Sequence, residues 1–323
     1  MANYHFLKNA EVYFQTLDSS GAVTSRIFLD VQKIRFNQTY TDKTYRQKTI
    51  HDENKVFDAS SITKASPASF DLTLNVLEES TYNPVYRALL DTGKFNLVVR
   101  TFSSGASNTQ QLFKLTTAVI TSGKFIINKL ETLALTIAGE AAKLEVLKGS
   151  EAAGEKAAID NGRIQPSTRT YQKVDHLAVS YTPSGGSFTN LEDSLEKISI
   201  ELQNDISWTP YTTVNDALNV TNVDNLMYPS NFTVKKKSLS GSISRYVIDT
   251  DSEDDLQSWK TNVAMVIEAG SSNATGFKFT LNNCTFTNRV NVAEVFTQSY
   301  DWKMNDNSAS LTSGIIKFNN TTV

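Results

Sequence analysis

The sequence predicts a mainly β chain made of two tandem copies of one β-barrel or sandwich domain, each with one short α-helix and one long β-arm loop. Three observations carry that expectation. First, residues 113–139 and 277–304 repeat one order of elements. F-x-[LF] opens a strand, a polar break follows and a long strand closes, with Phe113 over Phe277 (277 − 113 = 164) and Ile137 over Trp302 (302 − 137 = 165). Second, upstream segments agree at similar displacements, 70–76 with 239–244 (239 − 70 = 169) and 95–99 with 263–267 (263 − 95 = 168). Third, the closing strands alternate. Leu133, Leu135 and Ile137 interleave with Thr132, Ala134 and Thr136, and Phe296, Tyr300 and Trp302 with Thr297, Ser299 and Asp301, the period of a strand with one buried face. A repeated order at a nearly fixed displacement marks a duplication. It divides the chain into a first domain at 1–149, a linker at 150–173 and a second domain at 174–323.

In order along the chain, residues 10–17 and 26–36 flank the turn-forming set Ser19, Ser20, Gly21 and Ala22 and read as a hairpin. Residues 37–62 then break into polar, charged and aromatic residues, among them Tyr40, Tyr45 and Arg46. That is long for a structureless connection and reads as a functional excursion, an arm. A short helix follows, with Asn83 and Pro84 suited to its start, Val85, Leu89 and Leu90 as its apolar stripe and Gly93 as its stop. Residues 140–170 turn to Ala, Glu, Lys and Gly, with a weak exposed helix expected at 150–160. The second copy opens with a further expected hairpin, 176–181 with 197–202 around Gly185 and Gly186, and sends out its own arm at 206–231, which carries Trp208 and Tyr211. Its helix is expected where Asp251, Glu253, Asp254 and Asp255 crowd a start and Leu256, Trp259 and Lys260 finish it. A last strand is expected at 314–318.

Composition narrows the chemistry. The chain has 323 residues, 40% of them hydrophobic, and a net charge of −3 from 31 basic and 34 acidic side chains, so no global cationic field grips nucleic acid. The one basic run, Lys235, Lys236 and Lys237, suits a guarded strand edge. A single cysteine, Cys284, excludes an internal disulfide and reads as packing. His5, His51 and His176 lie in unrelated contexts without a second ligand at metal spacing. Residues 1–9 hold no long apolar region, and no stretch approaches the length of a membrane span. No nucleophile motif or phosphate-cradling glycine loop is present. The acidic clusters flank the expected helices, where charge at an N-terminus accounts for them. No enzyme, no cofactor and no metal are therefore expected.

The polar face of the alternating strands is the candidate functional surface. It presents Asp71, Thr73 and Asn75, then Thr132, Thr136 and Glu140, in the first copy, and Ser240, Ser242 and Ser244, then Thr297, Ser299 and Asp301, in the second. These side chains are small, hydroxylic and slightly acidic, where a solvated sheet more often carries long Lys and Glu. A smooth, hydrated, slightly anionic wall is one that a polyanion passes without sticking.

The order of hairpin, long arm, strand, short helix, strand and paired long strands resembles the tail-tube fold of bacteriophage major tail tube proteins, shared with inner tubes of contractile injection machines and the Hcp protein of type VI secretion. The resemblance covers both halves and rests on element order and alternation. It implies that each domain gives four strands to a continuous β-barrel around a channel, and that three double-domain chains close a pseudo-sixfold ring. Rings would stack through the arms, here Tyr40, Tyr45, Arg46, Trp208 and Tyr211. It further implies residence in a phage tail made in the bacterial cytoplasm. The partners would be self, tape measure protein and DNA passing in the lumen, and terminator and baseplate or tip proteins at the ends, with no membrane. Two other readings stand beside it. An inner tube of a contractile machine would differ in a sheath-binding exterior. A virion β-sandwich adhesin or carbohydrate-binding protein would use clustered aromatics, for which the arm tyrosines and tryptophan are candidates.

Overall fold

The computed structural model describes residues 5–45, 59–103, 109–182, 189–190, 194–208, 228–229, 231–247, 263–292, 295–305 and 315–323. The chain is mainly β. Its first half holds β1 (His5–Leu17), β2 (Val23–Leu29), β3 (Val31–Asn37), β4 (Tyr40–Tyr45), β5 (Ala59–Ala65), β6 (Ala68–Asn75), helix α1 (Asn83–Asp91), β7 (Phe95–Ser103), β8 (Gln110–Asn128) and β9 (Ala134–Val146). Helix α2 (Gly149–Gly162) and β10 (Arg163–Ile164) lead across. The second half holds β11 (His176–Thr182), β12 (Thr189–Asn190), β13 (Leu195–Trp208), β14 (Phe232–Tyr246), β15 (Val263–Gly270), β16 (Phe277–Val292), β17 (Phe296–Met304), β18 (Ile316–Phe318) and β19 (Thr321–Thr322).

The ladders of the two halves run in one order. In the first, β1 pairs β7, β7 pairs β8, β8 pairs β9, β9 pairs β6 and β6 pairs β3. In the second, β11, β15, β16, β17, β14 and β13 follow in the same sequence. The irregularities repeat as well. Between β7 and β8 the register shifts at Thr117, which adopts φ 52°, and between β15 and β16 it shifts at Asn283, φ 53°. Gln32 in β3 and Glu196 in β13 each sit at a shift against the neighbouring strand. A bulge bends its strand at a chosen place, so the two copies of the bend mark equivalent corners.

These bends fix the equivalence two residues away from the sequence reading. Thr117 matches Asn283 (283 − 117 = 166), so Phe113 matches Phe279 rather than Phe277, and through the β8–β9 and β16–β17 registers Ile137 matches Tyr300 (300 − 137 = 163) rather than Trp302. A two-residue slip keeps every side chain on its own face, so the alternation on which the expected repeat rests is blind to it.

Each ladder curls so that its limbs face one another across a core. In the first half Phe70 of β6 meets Phe95 of β7 across that core, edge-on at 6.0 Å between ring centres, and Phe95 also stacks on Phe14 of the adjacent strand β1 at 4.4 Å. The apolar residues of both halves form one continuous cluster. At its middle, Tyr86 of α1 packs on Phe277 at 4.9 Å, and Phe125 of β8 meets the same ring at 5.0 Å. The halves are joined by backbone as well: the end of β8 pairs antiparallel with β13, from Lys197 opposite Asn128 to Gln203 opposite Ser122.

Several expectations are corrected. Residues 26–36 split into β2 and β3, because β2 stays with β1 while β3 crosses to β6. The second hairpin does not form: β11 pairs β12 and β15, and β13 pairs β14 and β8. Gly185 and Gly186 lie outside the described residues, as does the second expected helix at 251–260. Helix α1 stops at Thr92, which takes the left-handed conformation at φ 52°, and not at Gly93. Phe296, assigned to the dry face, is 52% exposed, and Gln298 lies buried in its row instead.

The bridge between the halves is also tied down. Ile159 of α2 is fully buried with Tyr13, Val98 and Leu112, and Glu155 bonds Gln15 at 2.6 Å and Arg26 at 3.1 Å. Arg100, almost wholly buried, reaches Asp160 at 2.6 Å. Helix α2 is thus docked on the first half by one side, around Ile159, while most of its residues stay exposed as expected. Residues 163–174 follow as a strap, with β10 parallel to β2 and backbone bonds from Glu78 to Thr170 and from Gln172 to Val76.

Candidate functional site: a polar face eight strands wide

The β8–β13 seam creates the site. It joins β3, β6, β9 and β8 of the first half to β13, β14, β17 and β16 of the second in one sheet. Because strand residues alternate between faces, the ladder registers carry one polar row across all eight strands: Lys33, Thr73, Thr136, Lys124, Glu201, Ser240, Lys303 and Thr285. The opposite face turns Leu72, Ile137, Ile200, Ile243 and Tyr300 into the core.

The sequence-predicted residues fall on this polar face, with one exception. Asp71, Thr73 and Asn75 on β6, Thr136 and Glu140 on β9, Ser240, Ser242 and Ser244 on β14, and Thr297, Ser299 and Asp301 on β17 all stand in polar rows, half-buried or exposed. Thr132 precedes β9 and bridges Lys173 of the strap instead. Hydroxyls bond across strands: Thr73 to Thr136 at 3.3 Å and Ser199 to Ser242 at 2.8 Å. Ser244 donates to Glu196 at 2.8 Å.

Four strands contributing to the face escaped the sequence reading, which followed only β6, β9, β14 and β17. The others bring Lys33 and Arg35, Lys124, Lys197 and Arg289. The face is therefore not anionic and free of base. Its charges are interspersed: Arg35 stands opposite Asp71, Lys124 opposite Glu201, and Arg289 pairs with Asp301 at 3.4 Å. Part of the missed signal was available, since residues 197–203 alternate as cleanly as the strands that were used, whereas the run Phe125, Ile126 and Ile127 blurs the period in 122–128.

The arms root on one side of this sheet. Residues of the first arm form the two-stranded ladder β4–β5. Its Tyr40 brings its hydroxyl 3.4 Å from that of Tyr228, at the root of the second arm, and Lys143 lies over the Tyr228 ring at 5.1 Å. Trp208, where β13 leaves the sheet, donates its indole N–H to Glu140 at 2.6 Å and packs on Phe232 at 5.3 Å. Glu140 is thereby engaged with an arm. Tyr45 ends β4; Arg46 and Tyr211 lie outside the described residues.

Elsewhere, titratable groups serve structure. Glu79 accepts hydrogen bonds from the hydroxyls of Thr168 and Ser167, which hold its carboxyl down at about 2. Burial raises the Cys284 thiol to about 12, as a packing cysteine requires. Lys237 donates to the Leu90 carbonyl at the end of α1, and burial lowers its pKa. Among the described residues no group of His, Cys, Asp and Glu could hold a metal ion, and no helix is long and apolar enough to cross a membrane.

Comparison with known proteins adds little. No family model matches the chain and no curated protein matches it. Among solved structures, it is similar to a chain of the anti-feeding prophage baseplate solved by cryo-electron microscopy, at 15% identity and a TM-score of 0.35, over 46% of this chain and 97% of that one. At that score the likeness is too slight to bear on function.

Proposed function

We propose that the chain is the major tail tube protein of a bacteriophage, a structural virion protein with no catalytic role. Its two halves would act as tandem tube domains, three chains closing a pseudo-hexameric ring and rings stacking around a channel for genome DNA at ejection. The observation that carries this reading is the single sheet to which each half contributes four strands, with its polar face continuous across the seam. On that face basic side chains stand beside acidic ones, so no cationic rail retains phosphates and a polyanion can slide. The paired arm roots would supply ring-to-ring contacts. Tape measure protein and DNA would occupy the lumen in turn, and terminator and tip proteins would cap the ends.

Negative-stain microscopy of concentrated protein tests the assembly: three-lobed rings or hollow tubes are expected, and a persistent monomer overturns it. The lining is tested by replacing Ser242, Ser244 and Thr297 together with lysine in the phage. Assembled tails with slowed or blocked DNA delivery are expected; unchanged infectivity rejects the lining.

A further inference from the structure

The eight-stranded sheet ends in two unlike edges. Among the described residues, β3 has a ladder on one side only, with β6, and residues 287–292 of β16 have a ladder only with β17. Unpaired strand edges are templates for another chain unless they are blocked. Neither strand contains proline.

The molecule already holds a worked example of what fits these edges. By the matched ladders, β3 is the counterpart of β13 and the end of β16 is the counterpart of the end of β8. The strands β8 and β13 are those that pair with each other at the seam. The bulge at Gln32 repeats that at Glu196, so the displacement is 164 (196 − 32 = 164). Lys124 lies opposite Thr136 of β9 as Arg289 lies opposite Ser299 of β17, so the other displacement is 165 (289 − 124 = 165).

We infer that the outer edge of β16 pairs antiparallel with β3 of a second copy of this chain, in the register of the internal seam. This rests on the assembly reading above and specifies its joint. The seam pair Lys124 and Glu201 becomes Arg289 opposite Asn37 of the next copy, and Phe125 opposite Ile200 becomes Val290 opposite Phe36. Polar meets polar, since Asn37 and Arg289 are both exposed on the polar face, and Phe36 packs against the core beside Phe113. Because the two edges differ, the contact is heterologous, and repetition closes a ring or grows a filament.

Disulfide trapping tests it on the full chain. Asn37→Cys and Arg289→Cys are placed in separate chains that are mixed and oxidised, with Cys284 left in its buried site and each variant's fold checked by circular dichroism. A disulfide needs Cα atoms within about 7 Å, and a two-residue slip along a strand moves them about 6.6 Å. The in-register pair should therefore form linked dimers about tenfold faster than Arg289→Cys with Arg35→Cys. Thr39→Cys with Thr287→Cys reads the same register should the Asn37 variant fail to fold. Rings seen by microscopy with no cross-link, or with equal rates for the slipped pair, overturn this joint and leave the ring reading standing. Cross-linking in register without rings supports the joint and rejects ring closure. Neither rings nor cross-links rejects both.

Discussion

The two halves share one ladder but differ in how they fill it. In the first half, Phe70 of β6 faces Gly139 of β9; in the second, the matched pair is Gly241 of β14 facing Trp302 of β17. The ring has changed strands, and the glycine has moved to make room. A Cβ on Gly139 would lie 2.3 Å from the Phe70 ring, and one on Gly241 would lie 2.7 Å from the Trp302 ring. Next along, the apolar pair Leu74 and Leu135 is matched by Arg245 and Gln298, buried and bonded at 2.9 and 3.1 Å. Outside, α2 covers an apolar patch on the first half, whereas the matching surface of the second carries Lys278 bonded to Glu268 at 2.6 Å. What a sheet keeps is the volume between its limbs and the alternation of its faces; which strand supplies the bulk is free to change.

The sharpest way to break this comparison is to remove the rings. Phe70→Ala and Trp302→Ala should each cost about 3 to 5 kcal/mol in denaturant unfolding, and a cost near zero for one alone would deny that the pairs are equivalent. Among the described residues the Trp302 indole N–H has no acceptor, so Trp302→Phe should be close to neutral. Next in size is the polar pair. Gln298→Leu removes the two bonds from the Arg245 guanidinium to the Gln298 carbonyl, leaving the one to the Tyr300 hydroxyl at 3.2 Å, and should cost about 2 to 3 kcal/mol. Arg245→Leu with Gln298→Leu rebuilds the leucine pair of the first half and should recover most of that loss. Removing the cover, Ile159→Ala should cost about 2 kcal/mol and increase hydrogen exchange in β1 and β7 but not in β11 and β15.

The smallest effect concerns the strap. The Glu79 pKa is lowered in the folded chain to about 2 by its hydrogen bonds to Thr168 and Ser167. Its contribution is therefore full above the ordinary value of 4.5 and is lost as pH falls toward about 2. Amide exchange at 167–172 should rise over that window, and Glu79→Gln should raise it at neutral pH.

Much of the ladder was legible because alternation is written residue by residue: β6, β7, β9, β14, β15 and β17 all fall where the pattern put them. Register was not, since Phe113 looks as much like Phe277 as like Phe279 and period two cannot separate them. The docking of α2 was hidden because its anchors, Gln15, Arg26 and Arg100, lie far upstream and its own composition is bland. On the polar face, residues such as Ser242 and Thr136 announced themselves by small size, whereas Lys124 and Arg289 read as part of a polar break, although β8 and β16 run unbroken through them.

The β8–β13 seam has a kinetic consequence. Its two strands belong to one polypeptide and are held within reach by the strap, so this joint closes at an effective concentration no mixture of separate chains attains. Each molecule therefore emerges from folding with one junction already made. On the proposed assembly, growth would then depend on encounters at the remaining edges alone, and its rate would scale with concentration only through them.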